Sequence, residues 1–112
     1  MKIKGQLGWL TLLCLILAFS SLSCAKLKRD HFLSTASKAH DSGNYEKAIK
    51  NYKKALEIRP DDITVHCNLG VAHLELGQMA KVRVEIAKIA ELGDQETADY
   101  LKNLIRKKAK LE

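Results

Sequence analysis

The chain has 112 residues, 46% of them hydrophobic and 29% charged, which is enough for one small domain with a single core. Its 19 basic and 13 acidic residues give a formal charge of +6. Lys2 and Lys4 lie in a segment that is interpreted below as a signal. Without them the chain has 17 basic and 13 acidic residues, a charge of +4. This modest charge, with only three Tyr, two Phe and one Trp, argues against nucleic-acid binding.

The N-terminal segment has the pattern of a secretory signal. A basic start, residues 1–4, precedes an apolar run from Leu7 to Phe19 and a serine-rich exit that ends at Cys24. The Ser23-Cys24 junction resembles the lipobox of bacterial lipoproteins, in which the cysteine receives a diacylglycerol and the chain is cut just before it. That family favours Leu three positions before the cysteine, where this chain has Ser21.

This resemblance implies a signal peptide over residues 1–23, a lipid on Cys24 and a short tether over residues 24–29. Ala25 lacks the acidic signal that retains many lipoproteins in the inner membrane, so the periplasmic face of an outer membrane is the expected location. The alternative is an uncleaved inner-membrane anchor, because residues 5–22 are 18 uncharged positions, close to the roughly 20 that span a bilayer.

A repeat of 34 residues follows. Gly43 and Gly77 are 34 positions apart, and the same shift superposes Ala36 on Gly70 and Ala48 on Val82. Apolar positions 45, 48, 49, 52, 55 and 56 share one face of a helix, and the lysines between them fall mostly on the other. The period therefore predicts pairs of amphipathic helices.

The turn residues agree with this period. Gly43 can end a helix in the left-handed conformation, Asn44 can cap the next helix, and Pro60 with the two aspartates after it can end that helix and begin another. The small residues Ala36 and Gly70 predict close packing of the first helix of each pair against the second.

Residues 43–49, Gly-Asn-Tyr-Glu-Lys-Ala-Ile, followed by Tyr52, Ala55-Leu56 and Pro60, resemble the second half of a tetratricopeptide repeat (TPR). The resemblance covers about residues 29–94, as two repeats over 29–62 and 63–94. It implies an all-α fold, a short right-handed α-solenoid. Residues 95–112 have an apolar face and a basic one, and they are predicted to form a C-terminal capping helix, which would make five helices in all.

The family implies a partner-binding groove that is lined by the first helix of each pair. Some relatives bind a C-terminal carboxylate there with a lysine and two asparagines; Asn68 matches one asparagine, but Leu33 and Ser37 stand at the other two positions, so this clamp is not predicted. A mixed apolar and weakly acidic groove is expected instead. Its candidate residues are Leu33, Ser37, His40, Asp41, Thr64, Cys67, Val71, Leu74 and Glu75.

The sequence gives no sign of an enzyme, a metal site or a cofactor. It contains no phosphate-binding Gly-rich loop, paired-cysteine zinc pattern or metalloprotease motif. His66 and His73 are two helical turns, about 10 Å, apart, too far to bind one metal ion directly. Both are expected to pack within a helix pair, and Cys67 is expected to be a small apolar filler rather than a reactive thiol.

Two hypotheses on function remain. The favoured one is a membrane-anchored, protein-binding adaptor or scaffold in cell-envelope assembly, with a peptide or protein partner in the groove. The alternative is a structural subunit that forms a homo-oligomer or stacks on another repeat protein, held by an uncleaved anchor. Short repeat arrays bury little core by themselves, which is the physical reason to consider stacking.

Overall fold

The computed structural model describes the backbone of residues 2–112 and the side chains of residues 8–112. Met1 and the side chains of the basic start lie outside this part of the chain. The described backbone is all α, as predicted, and it contains no strand between residues 2 and 112. The five helices are α1 (Lys2–Asp41), α2 (Tyr45–Ile58), α3 (Ile63–Glu75), α4 (Met79–Glu91) and α5 (Gln95–Leu111).

Helix α1 joins the N-terminal segment to the first repeat without a break. It has 40 residues, and those predicted to form a tether, residues 24–29, continue the same helix. No proline and no glycine interrupts the sequence between Gly8 and Gly43, so nothing local ends the helix there. Its first half projects beyond the packed helices, and the molecule is consequently 77 Å long but only 29 by 17 Å across.

The turns between paired helices share one geometry. Asn44 donates its backbone N–H to the carbonyl oxygen of Ala39 at 2.8 Å, a bond that closes the C-terminus of α1, and equivalent bonds follow α3 and α4. Each turn contains a glycine in the left-handed region, where a side chain would be strained. These glycines are Gly43, Gly77 and Gly93, with φ of 78°, 70° and 92°.

Three helices begin with a side-chain cap. The carboxylate or amide oxygens of Asn44, Asp62 and Asp94 accept a hydrogen bond from the backbone N–H three residues later, at 3.2, 3.3 and 2.9 Å. Helix α4 is preceded by Gln78, whose side chain makes no such bond. The predicted cap at Asn44 and the predicted restart after Pro60 are therefore present.

Two apolar clusters hold the helices together. The first lies between α1, α2 and α3; it includes Ala36, Ala48 and Ala55, each at most 1% exposed, so small residues do allow α1 and α2 to pack closely. The second lies between α3, α4 and α5 and includes Val82 and Leu101, both fully buried. The second repeat therefore forms a helix pair, with Val82 at the position that Ala48 has in the first repeat.

Gly70 lies close to α4, as expected, and also to α5. A Cβ atom added to Gly70 would lie 3.0 Å from Cδ1 of Leu101 in α5 and 3.5 Å from Cβ of Glu85 in α4. In contrast to Ala36, which packs against α2, Gly70 thus allows the close approach of the last helix. The reason is the order of the helices, since α3 is covered by α5 as well as by α4.

Candidate functional site

Three of the predicted groove residues lie together between α1 and α3. Leu33, Ser37 and Thr64 line a cavity of about 310 Å³. Asn68 also lines it, as do Tyr52, Asp62 and Val65. The cavity is thus partly apolar and carries one carboxylate, that of Asp62.

His40 and Asp41 lie apart from this cavity, near the C-terminus of α1. The His40 ring meets the Tyr45 ring edge-on, with centroids 5.2 Å apart, and lies 6.3 Å from the Tyr52 ring. Asp41 is exposed. Burial raises the pKa of Tyr52, and the negative charge of Asp41 raises it further, so Tyr52 stays a neutral phenol. These contacts close the end of the first helix pair.

Thr64 and Cys67 face α5 in a second cavity of about 460 Å³. Its α5 side is formed by Glu96, Thr97 and Tyr100, and Asp94 lies at its end. Burial raises the pKa of the Cys67 thiol, with a further contribution from the negative charge of Asp94. The thiol is therefore held in its less reactive, protonated form.

The other predicted residues, Val71, Leu74 and Glu75, meet the C-terminal half of α5. They line a third cavity of about 410 Å³ together with Tyr100, Leu104, Lys107, Lys108 and Leu111. Leu74 is only 3% exposed and packs in the second apolar cluster, so most of its side chain is closed to a partner. The nine predicted residues therefore do not line one continuous groove.

Helix α5 forms more of the cavity walls than its sequence predicts. The prediction treated residues 95–112 as a cap with a polar outer face. Instead, α5 forms one wall of both larger cavities, and Tyr100 belongs to both. The spacing of Glu96, Tyr100, Leu104, Lys107 and Leu111, by four, four, three and four residues, is the sequence signal that could have indicated this shared face.

His66 is buried, as expected, but it also makes two short polar contacts. Its Nε2 lies 2.7 Å from the carbonyl oxygen of Pro60, and its Nδ1 lies 2.7 Å from a carboxylate oxygen of Glu85. Because a carbonyl oxygen only accepts, Nε2 is the donor in the contact with Pro60. His66 therefore joins the turn before α3 to α4.

His73 has a comparable structural contact. It is 2% exposed, and its Nδ1 lies 2.7 Å from the side-chain oxygen of Gln78, the residue that precedes α4. Both histidines therefore connect parts of the second helix pair, and both polar partners were missed because they lie on other elements. Among residues 8–112, no group of three His, Cys, Asp or Glu side chains has the geometry to hold a metal ion.

The N-terminal half of α1 is the second candidate site. An 18-residue window in the helix segment Gly8–Asp41 has a mean hydropathy of 2.0, and none of that window is buried by the rest of the protein. Such a helix is long and apolar enough to cross a membrane, although a signal sequence has the same properties. Cys24 is exposed and lies on the same face as Ile16, Phe19 and Leu27.

Comparison with known families agrees with the repeat. The family model described as TPR repeat matches residues 38–77, which include the last residues of α1, all of α2 and α3, and the turn after α3. No solved structure matches the chain.

Proposed function

We propose that the chain is a membrane-anchored scaffold, because residues 38–77 match the tetratricopeptide-repeat model, and such repeats generally mediate protein–protein interactions. In this proposal a lipid on Cys24 holds it in the cell envelope of a bacterium, at the periplasmic face of the outer membrane. A protein or peptide partner docks on the surface formed by α1, α3 and α5. The family is typically non-catalytic, which favours a scaffold over an enzyme.

The observation that carries the membrane proposal is an apolar helix that the protein itself does not cover. Trp9, Leu15 and Phe19 are 73%, 66% and 79% exposed, and every described residue from 8 to 24 is exposed. Large apolar side chains in water are unfavourable, so this segment either enters a bilayer or is removed. A signal peptide and a membrane anchor both meet this condition.

Cys24 is the residue that supports lipid attachment. Its side chain is exposed, so its sulfur is open to acylation, and two or more acyl chains are enough for stable attachment to a bilayer. From Cys24 to Phe32, where contacts with the first cluster begin, the helix rises about 12 Å. Lys26 and Lys28, both exposed, would then lie near the lipid head groups and attract anionic lipid.

The proposal is tested with two cysteine variants in the full-length chain. Cys24→Ala and Cys14→Ala both remove an exposed thiol from the same helix, and only the first removes the proposed acylation site. Cells are fed an alkyne fatty acid, and label and membrane partition after a carbonate wash are measured. We expect Cys14→Ala to keep the label and Cys24→Ala to lose it. Equal labelling of the two variants rules out acylation at Cys24.

The same experiment distinguishes a lipid anchor on Cys24 from an uncleaved membrane-spanning anchor. Intact mass of the membrane-bound protein shows whether residues 1–23 are still present and whether a diacylglycerol has been added. An unlabelled, full-length chain that resists the carbonate wash identifies α1 as a spanning helix that continues directly into the first repeat. The scaffold role then stands with a different anchor.

The partner role is tested by crosslinking from the proposed surface in native membranes. A photoreactive residue at Ser37 or Tyr100 is expected to capture a partner, because both side chains face the cavities along α3. The matched control is the same residue at Lys81, an exposed position of α4. Capture of a partner only from Lys81 would show that the binding site lies on the other side of the molecule. Capture of a second copy supports the stacking alternative.

A further inference from the structure

Helix α5 carries a stripe of five residues along the cavities it forms with α3: Glu96, Tyr100, Leu104, Lys107 and Leu111. Glu96 and Lys107 are 11 positions apart, which corresponds to about 16 Å along a helix and about 20° of rotation. The two charges therefore lie on the same side of α5, at opposite ends of the groove between α3 and α5.

Both charges are free to meet a partner. Within residues 8–112 neither Glu96 nor Lys107 has an ion-pair or side-chain hydrogen-bond partner, whereas the neighbouring Asp99 and Lys102 bind each other at 2.9 Å. Lys108 is also occupied, since its Nζ donates to the carbonyl oxygen of Leu74 at 2.6 Å. The first end of the groove thus carries Glu96 without a side-chain partner, beside Asp94, whose carboxylate accepts hydrogen bonds from Thr97 as the cap of α5. The second end carries Lys107 without a side-chain partner.

The centre of the groove is apolar and open. Tyr100, between the two charges, is 53% exposed although its side chain is large, and Leu111, beyond Lys107, is 83% exposed. Cys67 and Val71 of α3, both partly buried, form the opposite wall. An exposed aromatic ring offers contact area to a partner, and two separated charges of opposite sign select the direction in which the partner binds.

The direction of the groove relative to the anchor follows from contacts at the helix ends. Arg29 in α1 lies 3.6 Å from Asp62 at the start of α3, and Lys108 near the end of α5 binds the last turn of α3. Helices α1, α3 and α5 therefore run in the same direction. The Glu96 end of the groove lies on the side of the membrane anchor, and the Lys107 end points away from it.

This direction disfavours a second copy in the same membrane as the occupant. Two copies anchored side by side would have parallel α5 helices, and facing stripes would bring Glu96 opposite Glu96 and Lys107 opposite Lys107. Like charges in such positions repel each other and suppress pairing. A partner segment with the complementary order of charges fits instead.

We propose that the groove between α3 and α5 binds a peptide segment of a partner protein with an apolar centre and opposite charges about 16 Å apart. The basic end of the segment meets Glu96, toward the membrane, and its acidic end meets Lys107. That distance corresponds to about five residues of an extended segment or about 11 residues of a helix. This inference rests on the proposed scaffold function and gives its partner a charge pattern and a direction.

The test uses random 12-residue peptides displayed on phage and selected on the full-length protein in detergent micelles. The wild type is expected to select peptides with an apolar centre, one basic and one acidic residue. Lys107→Glu makes both ends of the groove acidic and is expected to select two basic residues. Glu96→Lys makes both ends basic and is expected to select two acidic ones. Lys81→Glu, the same charge change on α4, leaves the wild-type pattern unchanged.

Affinities of one synthetic peptide from the wild-type selection give the second measurement. Each charge reversal in the groove is expected to weaken its binding about tenfold at low salt and less at high salt, because exposed ion pairs are screened. Circular dichroism of each variant shows that the helices are retained. If selected peptides bind with no dependence on residues 96 and 107, the charge pattern is wrong and the scaffold function stands. If no peptide is enriched on any variant, peptide binding by this surface is wrong as well.

Discussion

The ammonium group of Lys108 donates a hydrogen bond of 2.6 Å to the backbone carbonyl oxygen of Leu74, 34 positions earlier in the chain. Leu74 lies in the last turn of α3, and its carbonyl oxygen also accepts a hydrogen bond from the backbone N–H of Gly77 at 3.0 Å. The positive charge also lies 3.9 Å from Glu75 and interacts favourably with the C-terminus of the helix. One side chain of α5 thus closes the end of α3.

Lys108→Met is therefore expected to weaken the attachment of α5. The substitution keeps most of the aliphatic side chain but removes a charged hydrogen bond to a partly buried carbonyl, which costs about 1.5 kcal/mol of unfolding free energy. Urea unfolding, monitored by circular dichroism, measures this loss of unfolding free energy. The control is Lys107→Met, at the next position and without such a bond, where a change within about 0.5 kcal/mol is expected. Equal effects of the two substitutions would show that the bond is not stabilising.

Leu101→Ala is expected to destabilise the protein by about 2–5 kcal/mol, because it leaves a cavity where α5 packs against Gly70 of α3. Leu101 is fully buried, whereas Leu111, ten positions later on the same helix, is 83% exposed. Leu111→Ala is the matched control and is expected to change stability little. Thermal unfolding of both variants measures the difference. A small effect at Leu101 would mean that α5 is not part of the folded core.

Cys67 is expected to react slowly with iodoacetamide at neutral pH. Its pKa is raised above the ordinary value of 9.0 by burial and by Asp94, so the thiolate fraction, and with it the rate, keeps rising above that pH. The measurement uses a chain with Cys14→Ser and Cys24→Ser, so that only Cys67 is labelled, and compares the folded protein with the protein in urea.

Asp94→Asn in that same chain is expected to speed labelling of Cys67 in the folded protein. The substitution removes the negative charge that raises the thiol pKa, and asparagine remains a good N-cap for α5, so the fold is kept. An unchanged rate would show that burial alone controls the thiol.

Removal of residues 1–23 is expected to leave the stability of the repeat unit unchanged. The described residues of this segment, 8–23, are exposed, and the partly buried residues of α1 begin after them. A chain of residues 24–112 should therefore unfold at the same urea concentration as the full-length chain in detergent. Removal of residues 1–36 is the contrasting deletion, because it also takes Phe32, Leu33 and Ala36 from the first cluster, and it is expected to unfold the first helix pair.

The local features of the fold could be predicted from the sequence. Gly43 and Asn44 determine a turn within a few residues, because a left-handed backbone and a side-chain cap depend only on neighbouring groups. The same holds for the amphipathic pattern of α2. The continuity of α1 through residues 24–29 was equally local, since no helix-breaking residue occurs there. The expectation of a tether followed instead from the proposed cleavage at Cys24.

The cavities along α3 were predicted only in part. Leu33, Ser37 and Thr64 do meet across α1 and α3, because the family pattern gives the first helix of each repeat a fixed orientation. The contribution of Tyr100 and Lys107 was missed because α5 follows the last repeat, where the 34-residue period no longer indicates which face meets α3. Leu74 was included in the groove although it is buried in the cluster that α3 forms with α4 and α5.

The sequence by itself determined the helices, their turns and the exposed apolar segment before Cys24, since these depend on residues within about one helical turn of each other. Only the tertiary structure decided which helix faces form cavities, and which distant groups meet. His66 and Glu85, 19 positions apart, and Lys108 and Leu74, 34 positions apart, are brought together by the packing of whole helices. That packing depends on the shapes of all the buried side chains at once, such as Gly70 against Leu101. A pattern within a few neighbouring residues therefore does not predict it.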